Sequence, residues 1–343
     1  MLTLFAMPKP FEGHIEVIQR NAIRSWTLLD PRPQIILIGN ETGTAEIVRE
    51  FELTHIPEVG CNEYGTPFLP DIFARAETSS DSPLLCYVNA DIILTSDFMR
   101  AVETVQRTLK RFVMAGRRWD LDVIELLEFD RTWEVVLRER TLRDGWLEPP
   151  GSIDYFVYSR GLWGEIPPFL IGRFNWDNWL LYRARARKAA LVDATASVMA
   201  IHQNHGYNMS SVATGNPRLG PEAMRNIALV GGEHHLYTLR AATHLLTEDG
   251  LKPGKPGRRQ LEFLQSNWRF YSRRAFRALQ AAADNRPAAR PFLRPVLAAI
   301  RAVRPGLSRV GRMIVKFRDK GLQVEASAPP AAGQSPVVQT EKE

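Results

Sequence analysis

Hydrophobic positions early in the chain alternate between short continuous runs and longer stretches at helical spacing. A first run at 2–7 is ended by Pro8 and Pro10, which cannot donate to a ladder. Ile15, Val17, Ile18, Ala22, Ile23, Trp26 and Leu28 then recur as a helix face, stopped at Asp30-Pro31. A second run at 34–38 leads into the polar Gly39-Asn40-Glu41. Residues 44–51 suit a short helix, 55–59 a third strand, 62–67 a turn and 70–76 another helix. The run at 84–88, Leu-Leu-Cys-Tyr-Val, has no polar side at all, which predicts an inner strand of a parallel sheet covered on both faces. It delivers Asn89 and Asp91 at its carboxyl end, where ligands of open α/β sheets bind.

Strand and helix signals alternate over about the first 95 residues, which predicts an α/β sheet with parallel neighbours. Beyond that, Ser96 or Asp97 caps a helix running to Lys110, and 112–116 reads as a strand. Residues 119–150 show weak periodicity and yield no placed elements. Asp120-Leu121-Asp122 within them reads as a capped helix start, with a metal role as the alternative. Strands are expected at 153–158, 190–194 and 197–201, the last followed by His202-Gln203-Asn204-His205, and helices at 175–189 and 221–229, with a polar loop between 206 and 220.

Composition adds little until charge is divided along the chain. Apolar content of 45% and charged content of 24% are those of an ordinary globular protein. Of the net +6, the segment 252–320 carries 18 basic against 3 acidic residues, so the basic character belongs to a C-terminal extension. Three regions follow: a body at 1–251, a basic helical extension at 252–320 and a disordered tail at 321–343. Apolar residues of the extension (Phe292, Val296, Leu297, Ile300, then Leu307, Val310, Met313, Ile314) lie at helical spacing, a pattern suited to an anionic membrane surface or to packing on the body. No nucleic-acid recognition module accompanies the charge, and no nucleic-acid partner is expected. Two cysteines, Cys61 and Cys86, imply no disulfide framework. No run approaches the length of a membrane span, and the N-terminus reads as a strand rather than a leader. These features predict a cytoplasmic protein, peripheral at the inner membrane surface if the extension binds lipid.

The hydrophobic strand ending Asn89-Ala90-Asp91, the segment Gly151-Ser152-Ile153-Asp154-Tyr155-Phe156 with Gly161-Leu162-Trp163, and Trp176-Asp177-Asn178-Trp179-Leu180 followed by His202 together resemble the GT-A-fold nucleotide-diphospho-sugar transferases, near glycosyltransferase family 2. The resemblance covers roughly residues 2–206. It implies a Rossmann-like, mixed and mostly parallel sheet flanked by helices. The implied activity moves a sugar from a nucleotide-diphosphate donor to a glycan, polysaccharide or lipid-linked acceptor, assisted by Mn²⁺ or Mg²⁺ and a carboxylate base. By position it assigns Asp91 and His202 to the cation, with His205 competing, and Pro8, Asn40, Glu41, Thr66, Asn89 and Asp91 to the nucleotide sugar. Of these Thr66 is a weaker candidate, as is Arg20 on the nucleotide side. Asn89 stands where the family has a carboxylate, and Asn175 where it has a base Asp, which leaves Asp177 and Asp154 as base candidates.

The chemistry fits those residue types. A departing diphosphate needs charge neutralisation, which a divalent cation supplies. Hard cations need few protein ligands because phosphates and water complete their shell, and an imidazole favours Mn²⁺. Trp176 and Trp179 beside Asp177 suit a sugar surface or, equally, an amphipathic helix with its tryptophans in the core. His234 and His235 after Gly231-Gly232 suit helix capping or an approach to phosphates. The missing carboxylate at 89 keeps a catalytically silent sugar-nucleotide or glycan-binding protein open. A sugar-phosphate nucleotidyltransferase is disfavoured, because no Gly-rich phosphate loop follows the first strand.

Overall fold

The computed structural model describes residues 1–205 and 220–254. The expectations for the 206–220 loop, most of 252–320 and all of 321–343 fall outside the described residues. Strand β1 (Leu2–Ala6), helix α1 (Gly13–Thr27), β2 (Gln34–Ile38), α2 (Thr44–Phe51), β3 (Thr54–Ile56), α3 (Leu69–Thr78) and β4 (Leu84–Val88) form parallel strands and crossover helices, with β2 and β3 to one side of β1 and β4 to the other. β5 (Ile92–Ile93), α4 (Asp97–Thr108), β6 (Phe112–Ala115), β7 (Arg118–Leu121), α5 (Trp133–Asp144), β8 (Trp146–Leu147) and β9 (Tyr155–Ser159) follow. α6 (Trp176–Ala186), β10 (Ala190–Asp193), β11 (Ala200–Gln203), α7 (Pro221–Leu229), β12 (His244–Thr247) and β13 (Gly250–Pro253) complete the described chain.

Nine strands make one sheet, ordered β13-β12-β10-β6-β9-β4-β1-β2-β3. It is parallel except at β9, which runs antiparallel between β4 and β6, and at the β12–β13 hairpin. This is the mixed, mostly parallel sheet flanked by helices that the resemblance implies. Successive side chains of each strand go to opposite faces. Leu4, Cys86 and Val157 pack under α1 and α4, while Phe5, Tyr87 and Tyr158 pack under α3 and α6. On the second face Phe73 of α3 stacks on Tyr87 and Tyr158, both at 5.7 Å, with Phe5 edge-on at 5.1 Å. Such pairs add about 0.5–1.5 kcal/mol each beyond their buried area.

The second sheet is small, ordered β5-β11-β7-β8, and its own core is Ile93, Trp119, Leu121, Val123, Leu137, Met199 and Ile201. Three expectations change here. Asp120 lies in a strand, not at a helix start, because Arg118-Trp119-Asp120-Leu121 alternates polar and apolar and pairs in parallel with β11. The strand expected at 197–201 starts at Ala200, since the N–H groups of Ser197 and Val198 turn back onto the Ala194 carbonyl. His202 is therefore inside that strand rather than beyond it. The region 119–150, which gave no periodic signal, supplies β7, α5 and β8.

The two sheets meet at Asn89-Ala90-Asp91. α1 grips the start of the small sheet: Trp26 Nε1 donates to the Ile92 carbonyl at 2.8 Å, and Leu94 N–H donates to Ser25 Oγ at 3.1 Å. The buried Gln203 amide donates to the carbonyls of Ile18 and Asp91, at 2.7 and 3.1 Å, and accepts from Asn21 at 3.0 Å. The Asp91 backbone is thus fixed from both sides before its side chain does anything.

Candidate active site at the junction of the sheets

Asp91, His202 and His205 each offer a ligand atom, and these atoms lie within 4.8 Å of one another. Asp91 Oδ2 is 3.0 Å from His205 Nε2 and 3.7 Å from His202 Nε2. The register explains the approach: His202 pairs with Ile92 across the β5–β11 ladder, one residue from Asp91. Burial alone would raise the Asp91 carboxyl. The His205 hydrogen bond and the charges of His202 and Lys9 outweigh it and hold the group at about 2. Asp91 Oδ1 is buried with no hydrogen-bond partner. A buried, ionised oxygen without a partner is costly unless something positive meets it. Oxygen and imidazole donors of this kind suit a hard or borderline divalent cation, so the residues fit the group that the resemblance implies.

Beside this cluster lies a chain of paired polar groups. Tyr87 OH donates to Asn89 Oδ1 at 2.9 Å, and Asn89 Nδ2 donates to Asp154 Oδ1 at 2.6 Å. Arg118 then bridges Asp154 Oδ2 at 2.9 Å and Asp120 Oδ1 at 2.7 Å. Asp120 Oδ1 in turn is 3.1 Å from His202 Nδ1, paired in distance though short of hydrogen-bond alignment. Burial raises the Asp154 carboxyl above its ordinary value against the pull of Arg118 and His202. Burial opposes charge on His202, yet Asp120, Asp91 and Asp154 together raise it.

Asp177 stands in the first turn of α6, after Asn175 in a left-handed conformation (φ 82°) that aims the helix. Its Oδ1 accepts from the Asn178 N–H at 2.8 Å. Burial, with some help from the Asp154 charge, pushes its carboxyl up to about 6 against those backbone bonds. The buried Tyr87 phenol, itself raised by burial, feels Asp91, Asp154 and Asp177 together, so the three carboxylates converge on one neighbourhood.

The base candidates differ in what holds them. Both Asp154 oxygens take side-chain donors, whereas Asp177 is held by backbone. Asn89 has both polar ends engaged within the protein. Trp176 and Trp179 are core residues, packed on Tyr87 and Phe169, and offer no face to a sugar. Pro8 and Lys9 follow β1, and Lys9 Nζ is 3.5 Å from His205 Nε2. Asn40 and Glu41 follow β2 at the same rim, where Phe11 N–H bonds the Thr42 carbonyl and joins the two loops. Thr66 sits farther round, its N–H on Asn62 Oδ1, with Asn62 tied to Glu222 of α7. Arg20 pairs with Glu16 and Glu50 on the outer face of α1, apart from the cluster. His235 bonds the Val230 carbonyl at 2.7 Å and stacks on Tyr182, which is the capping role. Sequence reasoning did not single out Arg118, which bridges Asp120 and Asp154, and it read Asp120 as a helix start rather than as a strand residue. The strict alternation of 118–123 was the signal that would have placed both on one strand face.

No family model matches the chain, and no curated protein matches it. Solved structures do match. The Staphylococcus aureus TarS fragment 1–349 in complex with UDP-GlcNAc is 12% identical, over 66% of this chain and 65% of that one, at a TM-score of 0.42. Mycobacterium tuberculosis glucosyl-3-phosphoglycerate synthase with Mn²⁺, UDP and phosphoglyceric acid is 17% identical, over 67% and 77%, at 0.43. Another TarS structure is 8% identical at 0.40, and this chain spans 36% of its length. Likenesses this distant carry no residue roles across to this chain.

Proposed function

We propose that the protein is a nucleotide-sugar-dependent glycosyltransferase whose donor diphosphate is held at the rim where the two sheets meet. The observation that carries the reading is the cluster of Asp91, His202 and His205, with one buried Asp91 oxygen left without a partner. These three residues would hold Mn²⁺ or Mg²⁺, which when bound supplies positive charge to a departing diphosphate. Lys9, with Nζ 3.5 Å from His205 Nε2, adds a positive charge on the same side. Asp177 is the carboxylate suited to take the acceptor's proton: its value of about 6 leaves it ionised at neutral pH yet basic enough to accept. Asp154, clamped by Asn89 and Arg118, anchors the site rather than reacting. The acceptor class, glycan, polysaccharide or lipid-linked, and contact of 252–320 with an anionic membrane belong to the same proposal. Among the described residues no helix is long and apolar enough to cross a membrane.

One observation favours a second reading. Asn89 sits in place of a carboxylate and spends its amide on Tyr87 and Asp154, which suits a protein that binds a sugar nucleotide without turning it over. The two readings part in one assay. Candidate UDP- and GDP-sugars are incubated with Mn²⁺, and release of the nucleoside diphosphate is followed together with thermal stabilisation by UDP or GDP. Metal-dependent release that Asp91→Ala abolishes supports the transferase. Stabilisation without release supports the silent binder, and neither effect across the donor panel removes both.

A further inference from the structure

Asp120-Leu121-Asp122 is a literal pair of carboxylates that the proposed cation site does not use as ligands. β7 and β11 run parallel with His202 opposite Asp120 and Gln203 opposite Leu121. Asp120 is 7% exposed, and its Oδ1 lies 3.1 Å from the far nitrogen of His202, Nδ1, close in distance though short of hydrogen-bond alignment. Arg118, two residues earlier on the same strand face, donates to the same Asp120 Oδ1 at 2.7 Å and so holds the carboxylate in place. One turn of the ladder on, Asp122 Oδ1 accepts from Asn204 Nδ2 at 2.8 Å, and Asn204 N–H bonds the Leu121 carbonyl at 2.9 Å. Both acids therefore hold the segment that carries the imidazoles, and neither reaches the Asp91 oxygen itself.

We infer that Asp120 and Asp122 are positioning residues: Asp120 fixes the ring and tautomer of His202, with Nδ1–H toward itself and Nε2 bare toward Asp91, and Asp122 fixes the turn that presents His205. The inference rests on the cation reading for its purpose but not for its geometry. A carboxylate behind a ligating imidazole sets which nitrogen carries the proton and strengthens the other as a donor, and losing it commonly weakens metal binding 10–100-fold. Arg118 has a further consequence. It is shared between Asp120 and Asp154, so the strand that orients the cation side also anchors the carboxylate bonded to Asn89. An isolated carboxylate at 120 would be costly to bury, and the pairing with Arg118 offsets part of that cost.

The test has two arms on the full chain. In the first, ¹⁵N imidazole spectra of the metal-free protein at pH 9 report the tautomers of His202, assigned with His202→Gln. Wild type shows a single Nδ1–H tautomer, and Asp120→Asn shows a mixture or the reverse tautomer. An unchanged signature in Asp120→Asn, or an Nε2–H tautomer in wild type, overturns the inference. In the second arm Mn²⁺ affinity is titrated for wild type, Asp120→Asn, His202→Ala and the double variant. Asp120→Asn weakens binding 10–100-fold in the wild-type background and has little further effect once His202 is gone. Equal losses in both backgrounds show a merely structural role and overturn the inference. Asp122→Ala against His205→Ala follows the same logic with a smaller loss, about 3–10-fold. A wild type that binds no Mn²⁺ but shows the Nδ1–H signature, lost in Asp120→Asn, supports the positioning and sinks the cation reading, so the two failures are distinguishable.

Discussion

The two sheets of this protein are built from different kinds of strand. In the large sheet β1, β4 and β6 are buried at every position and, apart from Thr3, wholly apolar. In the small sheet β7 reads Arg-Trp-Asp-Leu, with Trp119 and Leu121 in a core and Arg118 and Asp120 on the other face, and β11 reads Ala-Ile-His-Gln, with one apolar and one polar residue on each face. The large sheet holds position, and the small sheet brings chemistry to it. Asp91 belongs to neither, since it sits in the link between β4 and β5, its backbone clamped by Gln203. A polar network of this kind is tolerated because a closely packed apolar sheet lies behind it and because its buried groups other than Asp91 Oδ1 and His202 Nδ1 are hydrogen-bonded.

The largest expected effect comes from parting the two sheets. Trp26 is fully buried in α1 and caps the Ile92 carbonyl at the start of the small sheet. Trp26→Ala should cost about 5 kcal/mol in denaturant unfolding, from the cavity and the orphaned carbonyl together, and should weaken Mn²⁺ binding in the fraction still folded.

Next is Asp177→Asn, which separates activity from stability. Transfer should fall about 10³-fold. Because the folded carboxyl lies near 6 rather than 3.8, the folded chain keeps its proton longer than the unfolded one. The resulting cost is absent below about pH 3.8 and complete above about pH 6. The Asn variant should therefore be more stable than wild type by about 2 kcal/mol at pH 7.5 and equal to it near pH 3.5, measured by chemical denaturation at both. The wild-type rate should rise with pH through about 6. A destabilised Asn variant at pH 7.5 would remove the account of Asp177 as a strained base.

Leu246 offers the contrast at the far side of the large sheet. It is 2% exposed on β12. Leu246→Ala should cost about 3 kcal/mol of stability and leave Mn²⁺ affinity unchanged in isothermal titration, which a site spread over both sheets would not allow.

The smallest effect tests why position 89 is an amide. Asn89→Asp places a carboxylate where Nδ2 now donates to Asp154 at 2.6 Å, with Arg118 already shared. Two anions that close raise the affinity of one of them for a proton. The variant should lose about 2 kcal/mol at neutral pH and recover it fully only as pH falls below about 4, the value of an unfolded aspartate, followed by thermal melts across that range.

Much of the large sheet was legible because its strands are uninterrupted apolar runs, and helices α1 to α4 because their apolar faces recur at 3.6-residue spacing. The small sheet was less so: β11 showed as the run expected at 197–201, while β5 has two residues and β7 alternates polar and apolar over four, too little for hydropathy to place either. Asp120 looked like a helix cap for that reason. The pairing of Asp91 with His202 was expected from a resemblance and not from periodicity, because 110 residues of intervening chain set no distance between them. The tryptophans around Asp177 were ambiguous in sequence, since a buried face and a sugar-binding face of a helix share one pattern. Packing on Tyr87 and Phe169 decided for the core.

The most direct measurement is pulsed electron paramagnetic resonance of Mn²⁺ added to the full chain with UDP. Coupling to two imidazole nitrogens is predicted, reduced to one in His202→Gln and absent with all specific binding in Asp91→Ala. A bound ion with no nitrogen coupling, or one that Asp91→Ala leaves in place, would contradict a cation site built where the two sheets join.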